Sequence, residues 1–589
     1  MAGEFSPQME RAVALIHAGR VEEAVTECRE YLRLFPGSPI ACQLLGVVAF
    51  RAGDYQTAID RFSEVVRGDP TNADALNNLG QVLCHAGCPT EAIEWLDKAI
   101  LVSPNNPHAF CNLSRALAGV GRMEDALEAG KRAVALDPQF PEAYLNVGTV
   151  LFECGAVREA IDTYGHVLSL RSGDHLAWSN YLMALQYSSE HSAKDLFEAA
   201  LAWGRSMPGP LPWRRPDEDG ARRLKIGYVS GDFRAHSVGF AMEPILRGHD
   251  RSRVEIFCYS NSPIEDDHTA TLRGLSDHWR AILAVDDRNA AELVHADGID
   301  VLVDLSGHTF HNRLGVFALK PVPVQATWLG YFGTTGLSQI DFILRDQPQV
   351  PSAEHSNYVE GVWPLTDAAY GFDAGPEAPE VSPLPAVRNG HVTFGCFNNL
   401  AKVSGRCIQA WAAVLHAVPG SVLMLNRKPL GDPSVQRLFA RAFATHGIGE
   451  NRLRMGASKG RADYFRLYEE VDIMLDTFPF NGGTTTYEAL WMGVPVISHR
   501  WDRMVGHFGE SILVPCGHPE WVARKESDLI RIAVGLASDV RRLEVLRRGL
   551  REELAHSRLC RAGDCANGLE DAYFGMWDQR SRTAQGAAA

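Results

Sequence analysis

The chain has 589 residues, 46% hydrophobic and 22% charged, with a formal net charge of −15. That length exceeds a single core and implies three or four units of roughly 100–200 residues each, in a composition ordinary for a soluble globular protein. The acidic balance argues against a general nucleic-acid or anionic-membrane binder, which needs a surplus of Lys and Arg facing phosphates, and it leaves room for one small basic pocket.

The opening MAGEFSPQMERAVALIHAGR has no basic stretch ahead of an apolar core, and no apolar run nears the roughly 20 residues that span a bilayer, so a cytoplasmic protein with no membrane partner is expected. Gly19, Gly53, Gly87, Gly121 and Gly155 then recur every 34 residues, as do Ala24, Ala58, Ala92, Ala126 and Ala160, and Pro36, Pro70, Pro104 and Pro138. Each unit reads as a helix, a turn at the Gly, a second helix with a small Ala where helices cross, and a Pro that stops it. This resembles the tetratricopeptide repeat, in five copies over residues 6–175. Such helix pairs stack because one pair cannot bury its own apolar face, and the stack presents a groove. Asn78, Asn112, Asn146 and Asn180 keep the same period, with Leu44 breaking the ladder. Amides there either pack between helices or bond an extended peptide backbone in the groove. The twelve cysteines form no CxxC pair, the nearest being Cys84 and Cys88. Reduced thiols are expected rather than metal ligands or disulfides.

Residues 176–222 read as a helical cap, HLAWSNYLMALQYSSEHSAKDLFEAALAWGRSM, and a Pro-rich charged linker over 208–222. From residue 223 the texture turns to short β-branched runs that end in small or polar residues: LKIGYVSGDF, GIDVLVDLSGHT and PVQATWLGYFGTTG. Alternation with helical stretches predicts parallel strands whose carboxyl ends carry the ligand. Pro- and Ala-rich residues 366–390 read as an interlobe linker. Five strands and four helices follow, in HVTFGCFN, SVLMLNR, RLRMGA, VDIMLDT and VPVIS. In FPFNGGTTTYEALWMGVPVIS, Asn481-Gly482-Gly483 make a turn and Thr484, Thr485 and Thr486 begin a helix through Trp491. A helix start offers free N–H groups and partial positive charge to an anion; a hydroxyl cap after a tight turn is the plainer reading.

Repeats joined to GYVSGDFRAHSVGF, DGIDVLVDLSGHT, PVQATWLGYFGTTG, CFNNLAKV and FPFNGGTTTYEALWMGVPVIS closely resemble the bacterial relatives of the protein O-GlcNAc transferase and plant SPINDLY family. The resemblance implies an α-solenoid of repeats followed by an α/β glycosyltransferase of GT-B type, with two facing Rossmann-like lobes over 223–385 and 386–580. It implies an inverting enzyme that needs no metal or cofactor. The donor would be a nucleotide sugar, UDP-GlcNAc first and GDP-fucose or UDP-glucose as alternatives. The acceptors would be Ser or Thr of proteins held along the repeat groove, not nucleic acid. A repeat scaffold with a decayed catalytic half is the competing class.

Residue by residue, the resemblance places His236 at the acceptor and sugar, Lys402 at the diphosphate, and His308 in a catalytic position. It puts Asn399 where animal members have Gln, and Gly483, Thr484 and Thr485 at the phosphates. Glu488 falls at the nucleotide ribose, Tyr464 at the base, and Gly330 in the WLGYFGT loop at the nucleotide sugar. Asn78, Asn112, Asn146 and Asn180 become peptide-binding residues. The chain departs from the animal pattern at Gly483 (His there), at Phe332 (Pro there), and at His507, where Arg is frequent. Chemistry agrees with Lys402 and the helix start: negative charge grows on the departing diphosphate, and preorganised donors can meet it.

Overall fold

The computed structural model describes residues 6–18, 20–213, 222–365, 372, 375 and 378–588, and the side chains of these except 562–564 and 583–588. Gly19 and parts of the two expected linkers lie outside the described residues. The chain divides into two compact units, Met1–Cys154 with Asp162–Ser172, and Gly155–Ile161 with Gly173–Ala589.

Helices pair along the repeats from Pro7–His17 with Val21–Leu34 to Pro141–Glu153 with Val157–Leu170. The three residue ladders each have a physical cause. Gly53, Gly87, Gly121 and Gly155 turn between paired helices at φ of 76°, 79°, 84° and 86°, left-handed backbone that strains any residue with a Cβ. Ala24, Ala58, Ala92, Ala126 and Ala160 are all fully buried, where a longer side chain would push crossing helices apart. The proline ladder falls just past Leu34, Gly68, Val102 and Leu136, the last residues of the second helices. Proline also opens Pro39–Arg51, Pro89–Val102, Pro107–Gly119 and Pro141–Glu153, where its missing N–H costs no helical bond.

The asparagine ladder is mostly engaged within the protein. Asn112 donates from Nδ2 to Asn77 Oδ1 at 2.9 Å and accepts from Arg115 at 3.2 Å. Asn146 donates from Nδ2 to the Cys111 carbonyl at 2.8 Å. Asn78 accepts from Asn77 at 3.5 Å. Asn180 lies in the second unit.

In that unit the strands β1 (Leu224–Ser230), β2 (Val254–Ser260), β3 (His278–Ala281), β4 (Val301–Asp304), β5 (Val324–Thr327), β6 (Phe342–Asp346) and β7 (Gly361–Leu365) form one sheet. Its order is β3-β2-β1-β4-β5-β6-β7, all parallel. The second sheet contains β8 (Thr393–Cys396), β9 (Val422–Asn426), β10 (Leu453–Gly456), β11 (Ile473–Leu475), β12 (Val496–His499) and β13 (Val522–Ala523). Its order is β10-β9-β8-β11-β12-β13, also parallel. The five strands expected in this lobe are present; the two-residue β13 has too little sequence to show a period. Both sheets reverse direction once, between β1 and β4 and between β8 and β11, and the crevice outside such a reversal is where open parallel sheets bind ligands.

The helices His175–Tyr187 and Ala193–Ser206, read from sequence as a cap, pack with the first lobe. Gln186 Nε2 donates to the Tyr331 hydroxyl at 3.2 Å, and Asn312 Nδ2 to Ser179 Oγ at 3.1 Å. The last helix, Ala562–Ala588, returns to the same lobe: Leu569, Ala572, Tyr573 and Met576 join a core with Tyr228, Val238 and Ile245. A buried polar chain runs beside them, in which the Tyr228 hydroxyl meets Tyr573 at 3.1 Å and His249 at 2.9 Å, and His249 meets Glu570 at 3.0 Å.

A test of the alanine ladder is Ala126→Leu. Overpacking a closed helix crossing costs about 1–3 kcal/mol, so the midpoint of the repeat unit's thermal or urea transition should fall, whereas an unchanged midpoint would mean that the crossing has room to spare.

Candidate functional site

The loops after β1, β4, β8 and β11, at the two sheet reversals, carry His236, His308, Asn399, Lys402 and Gly483, with Thr484 and Thr485 opening the helix beyond. In the second lobe they are organised by one carboxylate. Asp476 follows β11 and is 2% exposed. Its Oδ1 accepts from the N–H of Gly482 at 2.6 Å, the N–H of Thr477 at 2.8 Å and Asn398 Nδ2 at 3.1 Å, while Oδ2 accepts from Ser498 Oγ at 2.6 Å. Burial pushes the Asp476 carboxyl up, and these donors oppose it. Asn481, fully buried, ties the turn from the other side by donating to the carbonyls of Thr477 at 2.7 Å and His499 at 3.1 Å. Gly482 admits no side chain, since a Cβ there would lie 2.4 Å from Thr485 Oγ1.

This explains three successive threonines at one helix start. Thr485 Oγ1 donates to Asn398 Oδ1 at 2.7 Å and Thr486 Oγ1 to the Gly482 carbonyl at 3.0 Å, so two of the hydroxyls fasten the helix Thr484–Trp491 to the loops. Thr484, half-buried, leaves its hydroxyl open. Gly483 gives the helix no side-chain cap. Among the described residues, the N–H groups of Gly483, Thr484 and Thr485 have no protein acceptor. Orphan donors of this kind, at the positive end of a helix, suit an anion.

Lys402 approaches from the end of β8. Asn399 caps the short turn Leu400–Lys402 by accepting from the Ala401 N–H at 3.1 Å. The Lys402 ammonium donates to the Asn481 carbonyl at 2.8 Å and sits 3.9 Å above the Phe480 ring. Burial lowers it from the usual lysine range, and Asp476 pulls it partly back. Glu488, one turn along the helix and 3% exposed, accepts from the Tyr464 hydroxyl at 2.9 Å and pairs with Arg461 at 3.3 Å. Burial raises its pKa. The Arg461 guanidinium lies 4.9 Å over the ring of Phe240 in the first lobe and so links the two lobes.

In the first lobe, His236 caps the helix Ser237–Gly248. Its Nδ1 accepts from the Val238 N–H at 3.3 Å and stands 3.6 Å from Asp232 Oδ1, and its side chain is 40% exposed. Burial lowers its pKa, and Asp232 opposes the shift. A neutral ring that accepts at Nδ1 carries its proton on Nε2, so this arrangement offers a donor rather than a base. His308 is buried between Trp203 and Tyr331, with ring centroids at 4.4 and 5.0 Å. Its Nε2–H donates to the Thr335 carbonyl at 2.9 Å, and burial pushes its pKa down to about 4. It is a neutral wall residue. Gly330 is also in the wall, where a Cβ would lie 2.0 Å from the Leu305 carbonyl oxygen.

The two other departures lie in the joint between lobes. Phe332 packs edge-on against Phe480 at 5.6 Å and Phe508 at 4.7 Å, so it braces the ring under Lys402. The two nitrogens of His507 face the carbonyls of Gln349 at 2.8 Å and Trp501 at 2.9 Å. Sequence reading passed over Asp476, Asn398 and Arg461 as site residues. The signal available was their position, directly after strands or ahead of a short helix on the carboxyl edge.

Comparison with known proteins bears on this arrangement. The model of glycosyl transferase family 41 matches residues 210–370 and 384–567, and a tetratricopeptide-repeat model matches 8–39, 44–109 and 111–173. A Petunia hybrida protein named probable UDP-N-acetylglucosamine–peptide N-acetylglucosaminyltransferase SPINDLY is 38% identical over 409 residues, 68% of this chain and 44% of its own length. The Arabidopsis thaliana protein of the same activity name, SEC, is 28% identical over 381 residues, 63% of this chain and 38% of its own. The chain thus spans less than half the length of these curated relatives. The solved structure of a Thermobaculum terrenum O-GlcNAc transferase mutant superposes with a TM-score of 0.83 at 36% identity, over 87% of this chain and 98% of that one. Repeats, two parallel-sheet lobes of GT-B type and a family model that covers more than half of the chain lead to one conclusion: the protein belongs to glycosyltransferase family 41.

Proposed function

We propose that this chain is an inverting protein O-glycosyltransferase that moves N-acetylglucosamine from UDP-GlcNAc to Ser or Thr hydroxyls without a metal ion. The observation that carries the reading is the set of unpartnered N–H groups at Gly483, Thr484 and Thr485 beside the Lys402 ammonium. A diphosphate leaving group gains negative charge as its bond to the sugar breaks, and donors already in place stabilise that charge without reorganising. Lys402 and the helix start supply positive charge and donors beside the turn, and among the described residues no group of three or more His, Cys, Asp or Glu is arranged to hold a metal ion. Glu488 and Tyr464 are read as the contacts to the ribose and base. His236, presenting Nε2–H, acts as a donor that orients the sugar or the acceptor. The names carried by the relatives support the UDP-GlcNAc assignment.

Acceptors are read as extended protein segments on the repeats. Asn112 has both amide ends engaged, whereas Asn78 keeps its NH2 open, Asn146 its Oδ1, and Asn180 both ends, among the described residues. No described helix is long and apolar enough to cross a membrane.

The donor assignment is tested with UDP-GlcNAc, UDP-glucose and GDP-fucose in the presence of EDTA. UDP-GlcNAc alone should turn over, and Lys402→Met should lower kcat by about 10²-fold, the order seen when one preorganised donor is removed. Turnover only with added divalent ion, or only with GDP-fucose, would overturn the corresponding part.

A pH dependence follows from Lys402. Burial lowers its pKa in the free protein, and an arriving diphosphate raises it. Donor binding should therefore take up a proton. Affinity should be greatest below the depressed lysine pKa and decline as pH rises through it, at values below the 10.5 of a free lysine. Calorimetric titration of UDP in buffers of different ionisation enthalpy reads this uptake directly, and Lys402→Met should abolish it.

For the acceptor, Asn180→Ala should raise the KM for a protein acceptor while the KM for the donor stays put. Asn112→Ala should instead lower the melting temperature, because it leaves the buried Asn77 oxygen unpaired, at a cost of about 1–3 kcal/mol.

A further inference from the structure

Arg427 is the first residue beyond β9, on the same carboxyl edge as Lys402 and the glycine turn. The register of β8 with β9 sets Cys396 opposite Leu425, so Arg427 leaves the sheet on the same edge as Asn398, the residue that holds Thr485. Its backbone N–H donates to the Gly456 carbonyl at 3.0 Å, which anchors the residue between β9 and the end of β10.

Its guanidinium has no such anchor. Nε is buried with no hydrogen-bond partner, and among the described residues the guanidinium makes no hydrogen bond and no ion pair. Arginine keeps its charge in proteins, and the rest of this half-buried side chain is left to meet an anion. The charges around it do not supply one. Lys402 stands opposite Asp476, and Arg461 is paired with Glu488 at 3.3 Å, so each of the other two cations has its own carboxylate. Arg427 is the cation left over. Its charge acts both on Lys402 and on Tyr464 and Glu488, so it lies within electrostatic reach of the groups read as phosphate-binding and of those read as nucleoside-binding.

We propose that Arg427 is a further catalytic residue of the transfer, its guanidinium fork bonding the diphosphate of the donor opposite the N–H groups of Gly483, Thr484 and Thr485. This rests on the nucleotide-sugar reading above. Lys402 already donates to the Asn481 carbonyl and is offset by Asp476, so it meets the diphosphate as a partly neutralised point charge. Arg427 brings a full positive charge and paired donors suited to two phosphate oxygens. As the sugar leaves, the electron pair of its bond to oxygen stays on the diphosphate, and the guanidinium stabilises that growing charge.

The test is equilibrium binding of UDP and uridine, and of GDP and guanosine, to the full chain and to Arg427→Gln and Arg427→Lys, with kcat and KM for the donor that turns over. Arg427→Gln should weaken the nucleoside diphosphate at least tenfold and leave its nucleoside within twofold. It should lower kcat as well as raise KM, and Arg427→Lys should fall between Gln and the native residue. Equal weakening of diphosphate and nucleoside, or no weakening of either, would overturn the proposal while the donor reading stands. Binding of neither UDP nor GDP by the native chain would overturn the donor reading and this proposal with it. Melting curves accompany each variant. If Arg427→Gln unfolds early, the Lys variant decides: it retains the charge and loses the fork, so its diphosphate affinity should drop several-fold, and native affinity would reject the fork.

Discussion

The arrangement of the second lobe depends on the carboxylate of Asp476. Four donors converge on it from three segments of chain: the glycine turn, the end of β8 through Asn398, and the end of β12 through Ser498. A buried carboxylate without these donors would be prohibitive, and with them it becomes a fixed point that holds loops in place. Because Asn398 also receives the Thr485 hydroxyl, the helix start is oriented through the same centre. The Lys402 ammonium is drawn to the same negative charge. One buried anion thus preorganises a set of donors for another anion.

The first lobe repeats part of this logic. Its loops are walled by closely approaching backbone at Gly330 and by the neutral imidazole of His308, and the fully buried Asp304 holds the loop that carries His308 by accepting from the N–H groups of Ser306 and Gly307 and from the Thr327 hydroxyl. Asp232, itself buried, faces His236 and Arg234. The lobes therefore differ in what their buried carboxylates hold: Asp476 fixes the donors of the helix start, whereas Asp304 fixes the loop that carries His308. Phe332 and Arg461 join the two, the first by packing on Phe480 and the second by covering Phe240.

Much of this was legible in the sequence. The period of the repeats could be read because each ladder answers one steric demand, repeated without variation: a left-handed turn at Gly, a tight crossing at Ala, a helix stop at Pro. The strands were legible where they are buried on both faces, as in VLVD and VLMLN. The roles of individual side chains were less so. Thr484, Thr485 and Thr486 look equivalent on paper, and only the positions of Asn398 and Gly482 separate the open hydroxyl from the two that fasten the helix. The asparagine ladder shows the same limit, since period alone does not tell whether an amide faces its neighbour or the groove. Asp476 and Arg427 were hidden for another reason: their importance lies in what is or is not beside them, and neighbours across a sheet are far apart in the chain.

The last helix adds a constraint of another kind. Tyr573 completes a buried polar contact with Tyr228, 345 positions earlier in the chain, and Leu569, Ala572 and Met576 fill the core of the first lobe. During synthesis that lobe emerges long before the segment that closes it. Until then, the faces of Tyr228, His249 and the helix Ser237–Gly248 that it buries stay uncovered, and the second lobe is made in the interval. The order of translation is therefore the reverse of the order of completion: the lobe begun first waits for a segment made after the second lobe.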